Sequence, residues 1–345
     1  MRKLPIVLYL LISLIAFSYP SVVHRPVILS EDGWVVLDLE LENPSSVKLT
    51  VRLDSDSFTL ISPTTTHHRI TVPVAEPFDF VLRSGSEILR EGRIDHMPVS
   101  EKNEFSFVVY GDSRWGKEVH ERIIEMANDL KIPYLFNLGD LVSSDLNDGD
   151  WKDFFDVIDA YKGIIFTAKG NHDLGMRYGM YLYPNSYTVK IGKIRFVVMD
   201  SNSPFLGSEL RSALEDFKDE NSFKVVMFHH VVFSCGPHGD DLDTILRRGI
   251  HEILRDHGVK LVFTSHDHNY QRLEKDGVTY IVTGGGGAGL YNVNPEEDCG
   301  AELIKWCKCY HMVLVRVSSG ELHVRVLSTS GKEIDGFRVE MERGE

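Results

Sequence analysis

Apolar and polar residues alternate in the first part of the chain, which is divided by Pro, Ser, Asp and Gly. The alternation is clearest in WVVLDLELE (34–42), SVKLTVRLD (46–54) and HRITVPV (68–74). Period-two spacing between turn residues is typical of strands that bury one face. Residues 22–98 are therefore predicted to form a small antiparallel β-sandwich, and a polar linker follows at about Met97–Glu104.

This region contains one adjacent pair of potential metal ligands, His67 and His68. Neighbouring residues on a strand point to opposite faces, so the two rings should not meet at one ion. The two histidines are therefore predicted to lie on the surface and not to form a metal site.

From residue 105 onwards, continuous apolar runs replace the alternation. Strand-like runs lie at 105–111, 132–140, 163–173, 194–201, 223–230 and 259–268, and helix-like segments lie at 117–131 and 151–161. Apolar strands that alternate with helices are typical of a layered α/β core. The tail at 310–339 has the pattern of antiparallel strands joined by SGE and SGK turns. Residues 105–345 are thus predicted to be an α/β domain.

Five of these six strand-like runs end at a side chain that can bind a metal ion. The residues are Asp112, Asp140, Asn171, His229, His266 and His268. In open α/β sheets, ligands bind at the carboxyl ends of the strands. His266 and His268 are two positions apart, so in an extended backbone both point to the same side. A single Asp or Asn at a strand end caps a turn or helix, but six ligand-type residues at successive strand ends predict a metal centre.

Composition and charge restrict the partners. With 345 residues, the chain is long enough for a main domain and a smaller one, each with its own core. A net charge of -14 argues against a protein that coats nucleic acid. If the substrate is anionic, positive charge at the site has to come from bound metal.

The first residues have the pattern of an export signal. Arg2 and Lys3 precede an apolar run from Leu4 to Phe17, and small residues follow around Ala16 and Ser18. This run is shorter than the ~20 residues of a spanning helix. Residues 1–21 are therefore predicted to be a signal peptide, with an uncleaved N-terminal membrane anchor as the alternative. The protein is expected to be secreted or at the cell surface.

Four cysteines, Cys235, Cys299, Cys307 and Cys309, suit an exported protein with disulfides. Cys307 and Cys309 are so close in sequence that each is expected to pair with Cys235 or Cys299 rather than with the other. A structural zinc site is the alternative interpretation, but the chain has no CxxC spacing.

The ordered motifs resemble those of the calcineurin-like metallophosphoesterases, and within them the purple acid phosphatase branch. The residues that carry the resemblance are GDSR (111–114), GDLV (139–142), GNHD (170–173), FHHVVF (228–233), SHDHNYQR (265–272) and TYIVTGGGGAGLY (279–291). The resemblance covers roughly 105–340 and implies a four-layer α/β/β/α domain. The first domain resembles the fibronectin-like domain that often precedes it. For the GGGGAG run at 284–289, a backbone turn beneath the site is expected rather than a phosphate-binding P-loop.

The resemblance implies two divalent or trivalent cations, Fe, Mn or Zn. Asp140 would bridge them; the ligands implied for the first cation are Asp112 and His268, and those for the second are Asn171, His229 and His266. The implied activity is phosphatase hydrolysis of a small phosphorylated substrate by a metal-bridging hydroxide. His172 would assist the leaving group, Asp173 would orient His172, and His238 and Asn171 would reach the substrate phosphate.

Two positions depart from the family pattern. Arg114 stands where many relatives have a His ligand, and Ser143 stands where the purple branch has a Tyr ligand. The first cation is therefore expected to bind more weakly or to complete its shell with water, and the purple charge-transfer band should be absent. Arg114 either binds the substrate phosphate or forms a salt bridge with a nearby carboxylate.

Three other functions remain open alongside the phosphatase. The chain could be a phosphodiesterase with the same centre or a non-catalytic metal-holding protein of the cell surface. It could also be a structural surface protein whose functional part is the β-sandwich. A Ser-His-Asp hydrolase is disfavoured because the chain has no GxSxG motif. His172 and Asp173 argue for turnover, since a protein that only holds metal needs no leaving-group acid.

Overall fold

The computed structural model describes residues 22–101, 104–218 and 221–341. The predicted export signal at 1–21 lies outside the described residues. Within those three ranges, no helix has both the length and the apolar character that crossing a membrane requires.

The N-terminal domain is an antiparallel sheet of five strands. They are β1 (Val22–Glu31), β2 (Trp34–Arg52), β3 (Ser57–Val72), β4 (Phe78–Ser84) and β5 (Glu87–Ile94). Strand β2 pairs with β3 along most of its length, with β1 near its start and with β4 near its end. The stretches 34–42 and 46–54, predicted as separate, thus belong to one strand. Its pairing with β3 shifts register on both sides of Ser45, so the chain passes Pro44 without leaving the sheet.

The large domain, 105–341, alternates strands and helices as predicted. In chain order its elements are β6 (Phe105–Tyr110), α1 (Lys117–Asp129), β7 (Tyr134–Asn137), α2 (Asp148–Ile158), β8 (Ile164–Thr167), α3 (Arg177–Tyr181), β9 (Tyr187–Ile191), β10 (Ile194–Val198), α4 (Leu206–Glu215), β11 (Phe223–Met227), α5 (Leu242–Arg247), α6 (Ile250–Asp256), β12 (Leu261–Thr264), β13 (Tyr270–Lys275), β14 (Val278–Thr283), β15 (Glu302–Cys307), β16 (His311–Ser318), β17 (Glu321–Ser328) and β18 (Glu333–Glu340). The strands are shorter than the apolar runs that predicted them, because each run continues into a loop with a polar tip.

Two mixed sheets form the centre of this domain. The order is β18-β17-β16-β6-β7-β8 in one sheet and β15-β13-β14-β12-β11-β10-β9 in the other. Aromatic rings join their inner faces: the ring of Phe196 on β10 lies 4.7 Å from that of Phe136 and 5.1 Å from that of Phe107. On the outer face of the second sheet, Val226 and Val262 pack in one apolar cluster with residues of α4 and α6. The fold is therefore the four-layer α/β/β/α arrangement that the family resemblance implied.

The helices show why the sequence folds this way locally. On α1, Ile123, Ile124 and Ala127 are buried and lie on one face at helical spacing. At the start of α2, the Asn147 side chain accepts a hydrogen bond from the Gly149 amide at 2.9 Å, which is an N-cap. These helices cover the first sheet and leave the carboxyl ends of its parallel strands open.

The disulfide pairing differs from the expectation. Cys235 bonds to Cys299, and Cys307 bonds to Cys309. The expected cross-pairing is wrong because Cys307 and Cys309 are two positions apart at the end of a strand, with their Cα atoms 5.4 Å apart. That separation lies within the usual range for a disulfide.

Several hydrogen bonds join the two domains. The Tyr183 hydroxyl accepts from the Ser30 amide at 2.7 Å, and Arg69 donates to the Leu182 carbonyl at 2.7 Å. The docking surface on the large domain includes α2, β8, α3 and the chain that follows α3. The N-terminal sheet is therefore attached through specific polar contacts.

Candidate metal centre

The six predicted ligands converge at one edge of the two sheets. Asp112 follows β6, Asp140 lies beyond β7 and Asn171 lies beyond β8 in the first sheet. His229 follows β11, and His266 and His268 follow β12 in the second sheet. Because parallel strands of both sheets end at this edge, side chains far apart in sequence meet there.

His229 is the centre of one half of the site. Its Nε2 atom lies 3.0 Å from Oδ1 of Asn171, 3.1 Å from Nδ1 of His266 and 3.4 Å from Oδ1 of Asp140. Its Nδ1–H donates to the Leu138 carbonyl at 2.9 Å. With that proton fixed, the Nε2 lone pair points toward the other ligands.

The other half contains Asp112, Asp140 and His268, whose ligand atoms lie within 4.8 Å of one another. Oδ1 of Asp112 lies 3.3 Å from Nε2 of His268. Oδ2 of Asp112 accepts from the His266 amide at 2.8 Å and from the Ser265 hydroxyl. His268 donates from Nδ1 to the Gly289 carbonyl at 2.8 Å, so its Nε2 also faces inward.

Two buried carboxylate oxygens show that these residues fit metal ions. Among the described residues, Oδ1 of Asp112 and Oδ2 of Asp140 have no hydrogen-bond donor, although both residues are 0% exposed. A buried oxygen without a donor costs about 1–3 kcal/mol, and more when it is charged. Carboxylate, amide and imidazole donors together suit Fe, Mn or Zn.

Burial also sets the charge of these groups. Burial and the negative charge of Asp112 raise the pKa of the Asp140 carboxyl to about 6. Burial works in the same direction on Asp112, but contact with the imidazole of His268 and the nearby His229 and Ser265 bring its pKa down to about 2. Burial lowers the pKa of His229 and of His266, which keeps both rings in the neutral form that binds metal. Two carboxylates held so close repel each other, and this repulsion favours a cation beside them.

The backbone around the site is unusually shaped. Asp112, Asp140 and His266 have φ of 58°, 53° and 67°, in the left-handed region that residues with a Cβ rarely adopt. The glycine run lies against this turn, as expected: Gly286 donates its amide to the Gly111 carbonyl at 2.9 Å. A Cβ on Gly284 would lie 2.7 Å from Oδ2 of Asp112, so only glycine fits there.

Arg114 contacts the carboxylate that the family resemblance assigns as the bridge. Its Nε lies 3.1 Å from Oδ2 of Asp140, in the geometry of an ion pair rather than a hydrogen bond. The residue is 8% exposed, and its guanidinium carbon lies 4.3 Å from the centre of the Trp115 ring. Of the two expectations for Arg114, the structure contains the salt bridge.

The Asp173 carboxylate, predicted to orient His172, makes its hydrogen bonds to backbone amides rather than to the His172 ring. The Asp173 carboxylate accepts from the backbone amides of Asp140 (2.9 Å), Leu141 (3.0 Å), Val142 (3.2 Å) and Gly170 (2.8 Å). Burial and Asp140 raise its pKa to about 7, but four N–H donors require the ionised form. Asp173 therefore shapes the loop that carries Asp140. The ring of His172 is held instead by its Nδ1–H, which donates to the Ser143 carbonyl at 2.9 Å.

His238 lies at the edge of the site. Its ring is 4.0 Å from that of His266, and its Nδ1 lies 2.7 Å from Oδ2 of Asp241. Two further residues were not singled out from the sequence as site residues. Tyr291 stacks on His268 with ring centres 4.1 Å apart, and His230 has a ligand atom within 4.8 Å of those of His229 and His266. Only the position of His230 beside a predicted ligand could have suggested its proximity.

Residues 105–270 match the family model of the calcineurin-like phosphoesterases. Purple acid phosphatase 7 of Arabidopsis thaliana is 24% identical over 252 residues, which cover 57% of this chain and 74% of that protein. Purple acid phosphatase PPD1 from yellow lupin (Lupinus luteus) seeds superposes with a TM-score of 0.74 at 13% identity, over 93% of this chain and 74% of that one. A PhoD structure superposes with a TM-score of 0.69 at 11% identity, over 94% and 90%. The resemblance seen in the motifs is thereby confirmed, and the solved structures confirm the fold.

Proposed function

We propose that this chain, in which residues 105–270 form a calcineurin-like phosphoesterase domain, is a phosphatase that hydrolyses phosphate esters at a centre of two cations. The family match and the purple acid phosphatase relative support metal-dependent hydrolysis of phosphoesters. One observation carries the finer proposal. Oδ1 of Asp112 and Oδ2 of Asp140 are buried and have no hydrogen-bond donor among the described residues. Oδ1 of Asp112 lies 3.3 Å from Nε2 of His268, and the other oxygen of Asp140, Oδ1, lies 3.4 Å from Nε2 of His229.

The ligand set divides unequally. Asp140, Asn171, His229 and His266 would hold one cation, and Asp112, Asp140 and His268 would hold the other. Two cations in such a site activate a water and neutralise the charge of the phosphate. The site of Asp112, Asp140 and His268 has one ligand fewer than the other site. Arg114 also forms an ion pair with its Asp140, so this site should bind its cation more weakly.

His172 is suited to protonate the leaving group. Its Nδ1–H is bonded to the Ser143 carbonyl, so its other nitrogen, Nε2, is the atom that can deliver a proton. Nε2 lies 4.0 Å from Oδ2 of Asp140, and the side chain is 32% exposed, which leaves it accessible to a substrate. General-acid catalysis by such a group contributes roughly 100- to 10,000-fold.

Arg114, Asn171 and His238 would contact the phosphate group. Arg114 carries a positive charge at the floor of the site, and His238 lies above the ring of His266. Exposed Trp115 stands beside both Arg114 and His172, with its ring 6.2 Å from that of His172. The leaving group of the ester would lie on this side.

Reconstitution with metal tests the proposal. Chelated protein is loaded with Mn, Zn or Fe and assayed with nitrophenyl phosphate and with bis-nitrophenyl phosphate, with Asp140→Asn as the inactive control. We expect metal-dependent hydrolysis of the monoester, up to two ions bound at the strand-end centre and no purple band, because Ser143 replaces the Tyr ligand. Faster turnover of the diester would assign a phosphodiesterase. Metal binding without turnover of either ester would assign a non-catalytic metal-holding protein and overturn the proposal.

We also propose that the protein is exported. The two disulfides, Cys235–Cys299 and Cys307–Cys309, support an oxidising compartment. The signal pattern at 2–18 supports the same route. N-terminal sequencing of the mature protein tests this: a start after about residue 18 is expected, and a cytosolic protein that begins at Met1 would contradict it.

A further inference from the structure

We propose that His24, Asp38 and His67 form a second metal site, away from the phosphoesterase centre, which takes a divalent transition ion such as Zn²⁺. The site lies in the N-terminal sheet, at its contact with the large domain. It is independent of the proposed phosphatase activity, because none of its residues belongs to the centre at the strand ends.

Strand pairing brings the three side chains to one face of the sheet. Glu40 on β2 pairs with His24 on β1 and with His67 on β3. Directly paired residues project to the same side, and Asp38 is two positions before Glu40 on the same strand. Residues from three strands therefore meet, although the chain separates His24 from His67 by most of the domain.

The distances match those of coordinating atoms. Oδ1 of Asp38 lies 3.0 Å from Nε2 of His67 and 3.6 Å from Nε2 of His24. Around a tetrahedral ion with bonds near 2.0–2.1 Å, ligand atoms stand roughly 3.3 Å apart. The same spacing occurs at the strand-end centre, where Nε2 of His229 is 3.1 Å from Nδ1 of His266.

Arg69 holds the carboxylate in position for this role. Its Nη1 donates to Oδ2 of Asp38 at 2.8 Å, which leaves Oδ1 turned toward the two histidines. Its Nε donates to Oε1 of Glu31 at 2.8 Å, which fixes the guanidinium. Metal-binding carboxylates are commonly oriented by such a hydrogen bond on the other oxygen.

Charge and access also favour a cation. The carboxylates of Asp38 and Glu40 lie near His67 on this face, beside the cationic Arg69. The side chains of Asp38 and His24 are 0% and 2% exposed, whereas His67 is 30% exposed and gives an ion a route in. Glu40, hydrogen-bonded to the Tyr181 hydroxyl, is the nearest candidate on this face for a fourth ligand.

The donor set selects the kind of ion. Two imidazoles and one carboxylate suit Zn²⁺, Co²⁺, Ni²⁺ or Cu²⁺, whereas Ca²⁺ and Mg²⁺ prefer oxygen ligands alone. An apolar aromatic wall excludes water on one side: the ring of His24 stacks on Phe155 of α2 at 4.1 Å and meets the edge of Tyr181 of α3 at 5.2 Å.

These contacts place the site at the contact between the two domains. His24 touches α2 and α3 while it lies beside Asp38 on the N-terminal sheet. An ion that fixes His24 would therefore fix the surface on which the large domain docks. Because binding occurs only to the folded state, the ion should raise the temperature of unfolding.

The competing explanation is a hydrogen-bond network alone, in which Nε2–H of His67 donates to Asp38. Metal content distinguishes the two. Full-length wild type, His67→Gln and His323→Gln are stripped with chelator and equilibrated with excess Zn²⁺, and bound zinc is counted after gel filtration. His323 is a matched control, since its Nε2 lies 2.7 Å from Oε1 of Glu321 at similar exposure, without a third ligand.

We expect His67→Gln to hold one Zn²⁺ per chain fewer than wild type and to lose part of the zinc-induced rise in Tm. His323→Gln should behave as wild type, and all three should keep the same phosphatase activity where activity is present. Equal zinc content in wild type and His67→Gln overturns the proposal. If His67→Gln does not fold, Asp38→Asn replaces it, and equal zinc content in wild type and Asp38→Asn overturns the proposal as well.

Discussion

The Nε atom of Arg114 lies 3.1 Å from Oδ2 of Asp140, so a fixed positive charge contacts the carboxylate that two cations are proposed to share. Both groups are buried, with side-chain exposures of 7% and 1%. In such surroundings a positive charge competes with a metal ion for the same oxygen. Arg114 thus places a cation at the position for which the family pattern predicts a His ligand.

Removal of this charge should strengthen the weaker metal site. We expect Arg114→Met to bind the second equivalent of Mn²⁺ or Zn²⁺ roughly 10- to 100-fold more tightly, which corresponds to about 1.4–2.7 kcal/mol. Isothermal titration of chelated protein measures this. Arg177→Met is the control, because Arg177 is paired with the exposed Asp148. Equal affinity in Arg114→Met and wild type would show that the guanidinium does not compete with the ion.

Asp173 should matter for the folded loop rather than for the proton of His172. In Asp173→Asn, the amide NH₂ would face backbone donors, and about two of the four N–H groups would lose their acceptor. At about 1–3 kcal/mol for each unpaired group, we expect a loss of about 2–6 kcal/mol in the free energy of unfolding. Urea unfolding of metal-free protein measures the loss. A fully stable Asp173→Asn with only an altered pH profile would restore the orienting role that the sequence suggested.

Gly284 should tolerate no side chain. In Gly284→Ala the new Cβ would lie 2.7 Å from Oδ2 of Asp112, so the carboxylate or the turn has to move. Overpacking of this kind costs about 1–3 kcal/mol, and we expect loss of at least one bound metal per chain. Gly289→Ala is the control in the same glycine run, because its Cβ would meet no atom of the described chain within 4 Å. Identical metal content in both variants would contradict the prediction.

His96 should make stability depend on pH near the junction of the domains. Its Nδ1 lies 2.9 Å from Oε2 of Glu101, and this bond raises the pKa of the imidazole in the folded state. The stabilisation is thus complete below pH 6.5, the unfolded pKa, and is lost as pH rises through the folded pKa. Because His96 is 44% exposed, the effect should be at most about 1 kcal/mol.

Urea unfolding of wild type and His96→Gln in chelator, at pH 6 and pH 9, measures the effect of His96. The two proteins should differ at pH 6 and converge at pH 9. A difference that grows with pH would contradict the assignment of Glu101 as the partner that raises the pKa.

The strand-end ligands could be predicted because topology determines where they go. Parallel strands of one sheet must end at one edge, so ligands after β6 and β7 bring Asp112 and Asp140 together. His229 meets them because the parallel strands of the second sheet end at the same edge. The long strand β2 could not be predicted in the same way, since Pro44 interrupts the alternation while the backbone continues through a register shift. The alternation of apolar and polar residues within one segment does not indicate how that segment pairs with other strands.

The parts that were missed depend on contacts between distant side chains. The GNHD motif (170–173) does not indicate that the Asp173 side chain accepts from the backbone amide of Asp140 rather than contacting His172. Likewise, the prediction that His67 and His68 are surface decoration is wrong: His68 is buried beside Ser62, and His67 meets a carboxylate from the next strand. The two histidines do lie in different surroundings, as strand alternation requires.

Tyr291 should support the weaker metal site through His268. The two rings are stacked with centres 4.1 Å apart and planes inclined by 13°, so the tyrosine limits how far the imidazole can turn. Tyr291→Phe keeps this contact, whereas Tyr291→Ala removes it and frees His268. We expect Tyr291→Ala to weaken the second metal equivalent about 10-fold and Tyr291→Phe to leave it unchanged, by titration of chelated protein. If Tyr291→Phe raises KM for nitrophenyl phosphate without a change in metal affinity, the hydroxyl has a separate role in binding the ester. Equal weakening in both variants would show that the hydroxyl, and not the stacked ring, holds His268 in place.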